Sequence, residues 1–346
     1  MLESIWFFLW GLLWAIYFML DGFDLGLGTL MPFVARDDME KRTVYRAMGP
    51  FWDGNEVWLI TAGGVTFAAF PLAYAVMFSS LYSALMLLLF ALIFRGVAME
   101  FRGQIHHEKW KKVWDYSLTA GSFLAALLLG VAFANIFQGI PIDEKGVYQG
   151  SLITLLNPYG LLGGVLFVVM FALHGCIWLA LKTEGPLHDR AATLASRLWT
   201  ALLAAAVIFL AATWFATRLY DNYLENPLFF VVPILLIPII AVSALVMTRV
   251  YISRTRWWEA WFASSLFIVG TILFGVAGLY PHLLPSSINP AYSVTIHNAA
   301  SSPLTLKIML GVALTVIPVV IAYQAWVYHF FKDKIQHSDL ALDEGY

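Results

Sequence analysis

Apolar residues run along this chain in long continuous blocks separated by short polar stretches, without the strict alternation of half-buried strands. A block of about 20 apolar residues is the length of a helix that crosses a bilayer, whereas a membrane strand alternates over about ten. Nine spans are predicted, at 5–31, 53–76, 79–101, 115–138, 158–181, 197–217, 227–250, 257–280 and 303–331. The fold class is therefore all-α, a polytopic membrane helical bundle in which each span satisfies its own backbone hydrogen bonds. No fixed-period repeat or low-complexity tract divides the chain, so residues 1–346 are read as a single integral membrane domain.

Loop charges give the orientation. Loops after odd-numbered spans with the span ends that border them, together with the tail, hold sixteen Lys and Arg residues, among them Arg36, Lys41, Arg102, Lys111, Arg190 and Lys334. Loops after even-numbered spans hold only Lys145 and Arg218. The positive-inside rule then puts the N-terminus outside and the C-terminus in the cytoplasm. The outer loops near 139–157 and 281–302 are rich in Gly, Pro, Ser and Asn and are expected to be packed caps, with a helix cap before Pro303. Met1-Leu2-Glu3-Ser4 offers no basic n-region, so the first span is expected to belong to the mature fold.

Composition agrees with the pattern: 61% of residues are hydrophobic and 12% charged, against roughly a quarter charged in soluble domains. Aromatic content of 16% suits helix ends anchored in two interfacial belts. A net charge of −2 with no basic face excludes nucleic-acid binding. The only cysteine, Cys176, allows no intrachain disulfide and no thiolate cluster, and no metal site is expected. Of eight histidines only His174 lies mid-span, where it is read as a hydrogen-bonded packing residue, and Met31, Met86, Met99 and Met170 read as gap filler. Without a facing His pair, a bis-His haem inside this chain is not expected.

Chemistry concentrates in the intramembrane charges. A carboxylate in a lipid span costs about 2.5–3.5 kcal/mol on insertion scales, so it needs a partner, a wet cavity or a task. Asp21 and Asp24 stand three apart on one helical face, in Asp21-Gly22-Phe23-Asp24-Leu25-Gly26-Leu27-Gly28. They are read either as structural acids paired with Arg or backbone donors, or as proton-handling groups. Gly22 and Gly26, extended by Gly28, form a small-residue seam for close helix packing. In Gly49-Pro50-Phe51-Trp52-Asp53-Gly54-Asn55-Glu56, Pro50 suits a first helical turn and Asp53 a helix-start acid, while Glu56 lies one turn deeper. Arg95 falls about 10 Å above the cytoplasmic boundary by helical rise. It either snorkels, or serves as a buried counter-ion for Asp21, Asp24, Asp53 or Glu56, or clamps an anionic cofactor group. Glu100, grouped with Arg95 as a charge partner, and Arg102 lie near the interface, where a solvated pair is expected. The acids gather at the cytoplasmic ends of the first three predicted spans, as a proton or ion path would.

The run Asp21 to Gly28, the run Trp52-Asp53-Gly54-Asn55-Glu56-Val57-Trp58-Leu59-Ile60-Thr61-Ala62-Gly63-Gly64, and Phe94-Arg95 together resemble the N-terminal signature of cytochrome bd-type quinol oxidase subunit II. Pro285-Ser286-Ser287 and the last span are a second, weaker anchor, and the short second loop and tail resemble the cyanide-insensitive branch. The resemblance implies nine helices packed against a similarly folded subunit I in the bacterial cytoplasmic membrane, with lipid around both. It implies that subunit I holds the quinol site, two b-type haems and one d-type haem, where oxygen becomes water. It further implies a cytoplasmic proton route through Asp21, Asp24, Asp53 and Glu56, with Arg95 as charge partner or haem-propionate clamp. A bound quinone and a small accessory subunit are compatible with it. The rival reading is a secondary transporter using the same acids for ion coupling, although such folds carry inverted repeats and broken midplane helices that the sequence does not display.

Overall fold

The computed structural model describes residues 1–225 and 236–336, and they are overwhelmingly helical. In chain order the helices are α1 (Leu2–Leu20), α2 (Gly22–Val34), α3 (Asp38–Met48), α4 (Trp52–Ala69), α5 (Pro71–Ser80), α6 (Tyr82–Phe101), α7 (Glu108–Gln138), α8 (Leu152–Leu155), α9 (Pro158–Lys182), α10 (Gly185–Ala216), α11 (Leu219–Glu225), α12 (Leu236–Ser253), α13 (Trp257–Leu279), α14 (Ile296–Ala299) and α15 (Pro303–Phe330). Among the described residues eight segments are long and apolar enough to cross a membrane, with α1 and α2 counting as one.

The predicted span 53–76 is the one that differs most. It breaks at Phe70 (φ −136°, ψ 66°), because Pro71 has no N–H to continue the ladder and instead starts α5. Its first half, α4, carries Asp53, Asn55 and Glu56 and is not among the eight apolar segments. Pro50, expected in a first helical turn, precedes α4 by two residues. The predicted span 227–250 begins outside the described residues, and α12 is its described part.

The interior is built on α9, which is the most enclosed span and packs on α2, α7, α10 and α13. Close approach of α2 and α9 is what the predicted seam achieves. A Cβ on Gly26 would lie 1.9 Å from the Phe171 carbonyl oxygen, and one on Gly175 would lie 2.7 Å from Leu27 N, so neither position tolerates a side chain. Gly22 faces the Phe171 ring and Gly28 faces Ser122 of α7 in the same way. Large rings fill the rest: Trp6, Trp10, Tyr17, Phe18, Phe23, Phe171 and Trp178 are all fully buried.

At the end of the bundle where α1 begins, the two Gly- and Pro-rich loops cap it together. Ile140 N donates to Pro285 O at 3.0 Å, Ser287 N to Ile140 O at 3.0 Å, and Ser286 Oγ to Ile142 O at 2.7 Å. A short antiparallel ribbon pairs His282–Leu284 with Val294–Thr295, and Ser302 caps α15 through Thr305 N. The last helix is thinly covered, with Leu306 its one fully buried residue.

Candidate functional site

The helical ladder of the first span is interrupted for one residue at Asp21. Its backbone N–H still reaches Tyr17 O and its carbonyl still receives Leu25 N, both at 2.9 Å. The carbonyls of the two residues just before it are met by side chains. His174 Nε2 lies 3.1 Å from Met19 O, and Asn55 Nδ2 donates to Leu20 O at 3.1 Å. The predicted small seam brings α9, and with it His174, close enough to do this. His174 is fully buried and its Nδ1 lies 2.7 Å from Ser264 Oγ, so both ring nitrogens are engaged and neither is free for iron. This is the packing role read for it in the sequence.

Arg95 is buried and binds Asp21 in a fork, with Nη2 2.6 Å from Oδ1 and Nη1 3.3 Å from Oδ2, and Nη1 reaches Glu56 Oε2 at 3.4 Å. It does not snorkel. Among the four acids open to it by sequence, it takes Asp21 and Glu56. Gly121 of α7 allows this depth, since a Cβ there would touch the backbone of Ala91 and Arg95. Asp24 is also fully buried but belongs to a different set of bonds: its Oδ2 receives Asn55 Nδ2 at 2.7 Å, and its Oδ1 has no hydrogen-bond partner. Asp53 stands exposed in the first turn of α4. Glu56 is one turn deeper and part-buried, joining the exposed end of α4 to the buried arginine.

Sequence reasoning missed the groups around Asn55. Its Oδ1 accepts from Gln324 Nε2 at 3.0 Å and from Tyr328 Oη at 3.1 Å, and Gln324 Oε1 accepts from Trp58 Nε1 at 2.8 Å. The available signal was Gln324 and Tyr328, polar residues four apart on one face of an apolar span.

A second charged cluster lies where α3, the end of α6 and the start of α7 meet. Arg102 donates to Asp115 Oδ1 at 2.6 Å and Asp38 Oδ1 at 2.7 Å, Lys41 to Asp115 at 2.9 Å and Lys111 to Asp38 at 2.9 Å. Arg102, expected in a solvated pair with Glu100, is therefore buried with two other carboxylates, because α3 folds back over it. Glu100 is exposed. Burial pulls the Asp38 carboxyl upward, but Lys111 and Arg102 outweigh it and hold the group below the ordinary carboxylate range.

Between α1, α4, α5, α6 and α7 lies a cavity of about 920 Å³, lined by Trp10, Trp14, Met77, Leu88, Phe133 and Ile136 among others. Its wall is almost wholly apolar. The Trp14 indole N–H is a buried donor without a partner.

Eight apolar spans among the described residues, packed around a buried Asp–Arg–Glu cluster, define a polytopic membrane protein. Residues 2–331 match the family model of cytochrome bd terminal oxidase subunit II, and the chain belongs to that family. It is 34% identical over 340 residues to cytochrome bd ubiquinol oxidase subunit 2 of Bacillus subtilis, covering 98% of each chain. With cytochrome bd-I ubiquinol oxidase subunit 2 of Escherichia coli K12 it shares 36% identity over 367 residues, covering 98% of this chain and 96% of that one. Its fold matches a chain of the bd oxidase from Geobacillus thermodenitrificans with a TM-score of 0.74 at 16% identity, over 95% and 98% of the two chains. The protein is thus a multi-pass component of a haem-containing respiratory quinol oxidase complex that includes a subunit I. Nothing in these comparisons favours the secondary transporter.

Proposed function

We propose that this chain, in the bacterial cytoplasmic membrane, scaffolds subunit I and carries protons from the cytoplasmic side toward the site of oxygen reduction. The observation that carries the reading is Asp24 Oδ1, a carboxylate oxygen buried in the bundle without a donor. A charged carboxylate there is poorly solvated, so the bare oxygen is the atom where a proton is taken up and given away. Exposed Asp53 and part-buried Glu56 on α4 lead from the surface to the Arg95 cluster, next to which Asp24 lies. Arg95 holds Asp21 by two bonds and Glu56 by one longer contact of 3.4 Å, which leaves Asp24 as the buried acid outside the arginine's pairs.

Haem of b and d type, placed on subunit I, supplies the oxygen chemistry in this reading; the fully engaged His174 accords with that division. The partner's seat is the exposed side of α4 with α15. Asp53 and Gly54 are exposed there, a Cβ on Gly54 would meet nothing within 4 Å, and lipid is a poor neighbour for Asp53.

Asp24→Asn in the assembled oxidase is expected to keep its haem and lose about 100-fold in oxygen-consuming turnover, the low end of what a positioned proton-transfer group contributes. Turnover equal to the parent's would sink the proton role.

The apolar cavity fits the isoprenoid tail of a quinone, lying along its hydrophobic wall. Leu88→Trp puts bulk into that space, so the quinone extracted with the purified complex should fall severalfold at limiting quinone. An unchanged quinone content would remove the ligand from this cavity.

A further inference from the structure

The hydrogen bonds that end on Asp24 have a direction that side-chain chemistry dictates. At one end stands Trp58, whose indole N–H can only donate; it lies 2.8 Å from Gln324, so Gln324 must turn its oxygen toward Trp58 and its NH₂ inward. That NH₂ meets Asn55 at 3.0 Å, so Asn55 must present its oxygen to Gln324, and the Tyr328 hydroxyl adds a second donor to the same oxygen. At the other end stands the Leu20 carbonyl, which can only accept, 3.1 Å from Asn55 Nδ2. Both ends therefore demand the same orientation of Asn55. Flipping its amide would set oxygen against the Leu20 carbonyl and NH₂ against NH₂ at Gln324. All four hydrogen-bonding positions of Asn55 are filled, and one of its two N–H bonds goes to Asp24 Oδ2 at 2.7 Å.

We infer that Asn55 is the positioning residue of Asp24: its amide, locked from both ends, always donates to Oδ2, so that the proton resides on Oδ1 and on no other atom of the group. The inference rests on the proton role proposed for Asp24. The ionisable groups near enough to act on Asp24 by charge are Asp21 from its own span, Glu56 from α4, Arg95 from α6 and Tyr328 from α15. Oδ1 remains without a donor among them. The last helix thus acts on the acid from a distance, through Gln324, Tyr328 and the one amide between. A carboxyl group without that fixed N–H would carry its proton on either oxygen and turn to follow it.

The test is difference infrared spectroscopy of the whole oxidase between its reduced and oxidised states, in which the carboxylic C=O band of Asp24 is identified by its loss in Asp24→Asn. Asn55→Leu, close in volume but without the amide, should shift that band to higher frequency, since the C=O oxygen loses its donor, with haem content unchanged. Gln324→Met leaves Asn55 in place and removes one of the donors that orient it, so it should shift the band in the same direction by less. It also serves where Asn55→Leu fails to fold. A band that disappears in Asp24→Asn yet stays in place in the Asn55 and Gln324 variants overturns this inference alone. No band lost in Asp24→Asn overturns both the inference and the proton role beneath it.

Discussion

Arg95→Met is expected to destabilise the folded subunit by about 3–5 kcal/mol, the cost of leaving a buried charge without its partner. Asp21 is fully buried and has the Arg95 fork as its ion-pair partner, and Glu56 loses the same guanidinium. The loss comes from the stranded carboxylate rather than from the missing attraction, so the double variant Arg95→Met with Asp21→Asn should recover most of it. Arg95→Lys should fall between, because a single ammonium cannot reproduce two parallel bonds to one carboxylate. Thermal unfolding of the four proteins in one detergent decides the matter. If Arg95→Met melts with the parent, or if the double variant is no better than the single, the pair does not hold this part of the bundle.

An effect of similar size is expected at the α2–α9 seam, by a different mechanism. Gly26→Val places a side chain where a Cβ would already lie 1.9 Å from the Phe171 carbonyl oxygen and 2.5 Å from its carbon. Both are backbone atoms, so no rotamer change relieves the overlap and the two helices must part. Overpacking of a well-packed core costs about 1–3 kcal/mol, and a clash with rigid backbone belongs at or above the top of that range. Parting α2 from α9 also draws His174 away from the Met19 carbonyl. Gly64→Val is the control, since its Cβ would meet nothing within 4 Å of this chain. The subunit should tolerate it with little change in melting temperature. Equal melting of the two variants would mean that the seam does not set the helix spacing.

How much of this could be read from residues alone follows from what a linear pattern encodes. Hydropathy and helical rise place a residue along its helix, so the apolar spans and the positions of Asp21, Asp24 and Arg95 along their helices were legible. They do not give the rotation of one helix against another. Arg95 could therefore be matched to four acids but not to Asp21 and Glu56 in particular. The break at Pro71 was visible in the sequence, since proline cannot donate, but it lay hidden within a long apolar run. Arg102 was misread because its depth was judged from α6 alone, whereas its burial comes from α3 folding back over it. Asn55 was seen as part of a motif, yet its partners Gln324 and Tyr328 lie more than 260 residues away, and no local spacing connects them.

The last helix has a consequence for how the protein is made. It is fastened at few places along its length: Trp6 Nε1 to Leu306 O at one end, Gln324 and Tyr328 on Asn55 further along, and buried Lys182 on the carbonyls of Phe331 and Asp333 at the other end. Ribosomal synthesis delivers it after every other element described here. The donors on the Asn55 oxygen both come from this helix, whereas its N–H bonds go to the Leu20 carbonyl and Asp24 of the first span, so the polar chain around Asp24 needs both ends of the chain. The amide that meets Asp24 therefore gains the partners on its oxygen only from a segment translated some 269 residues later.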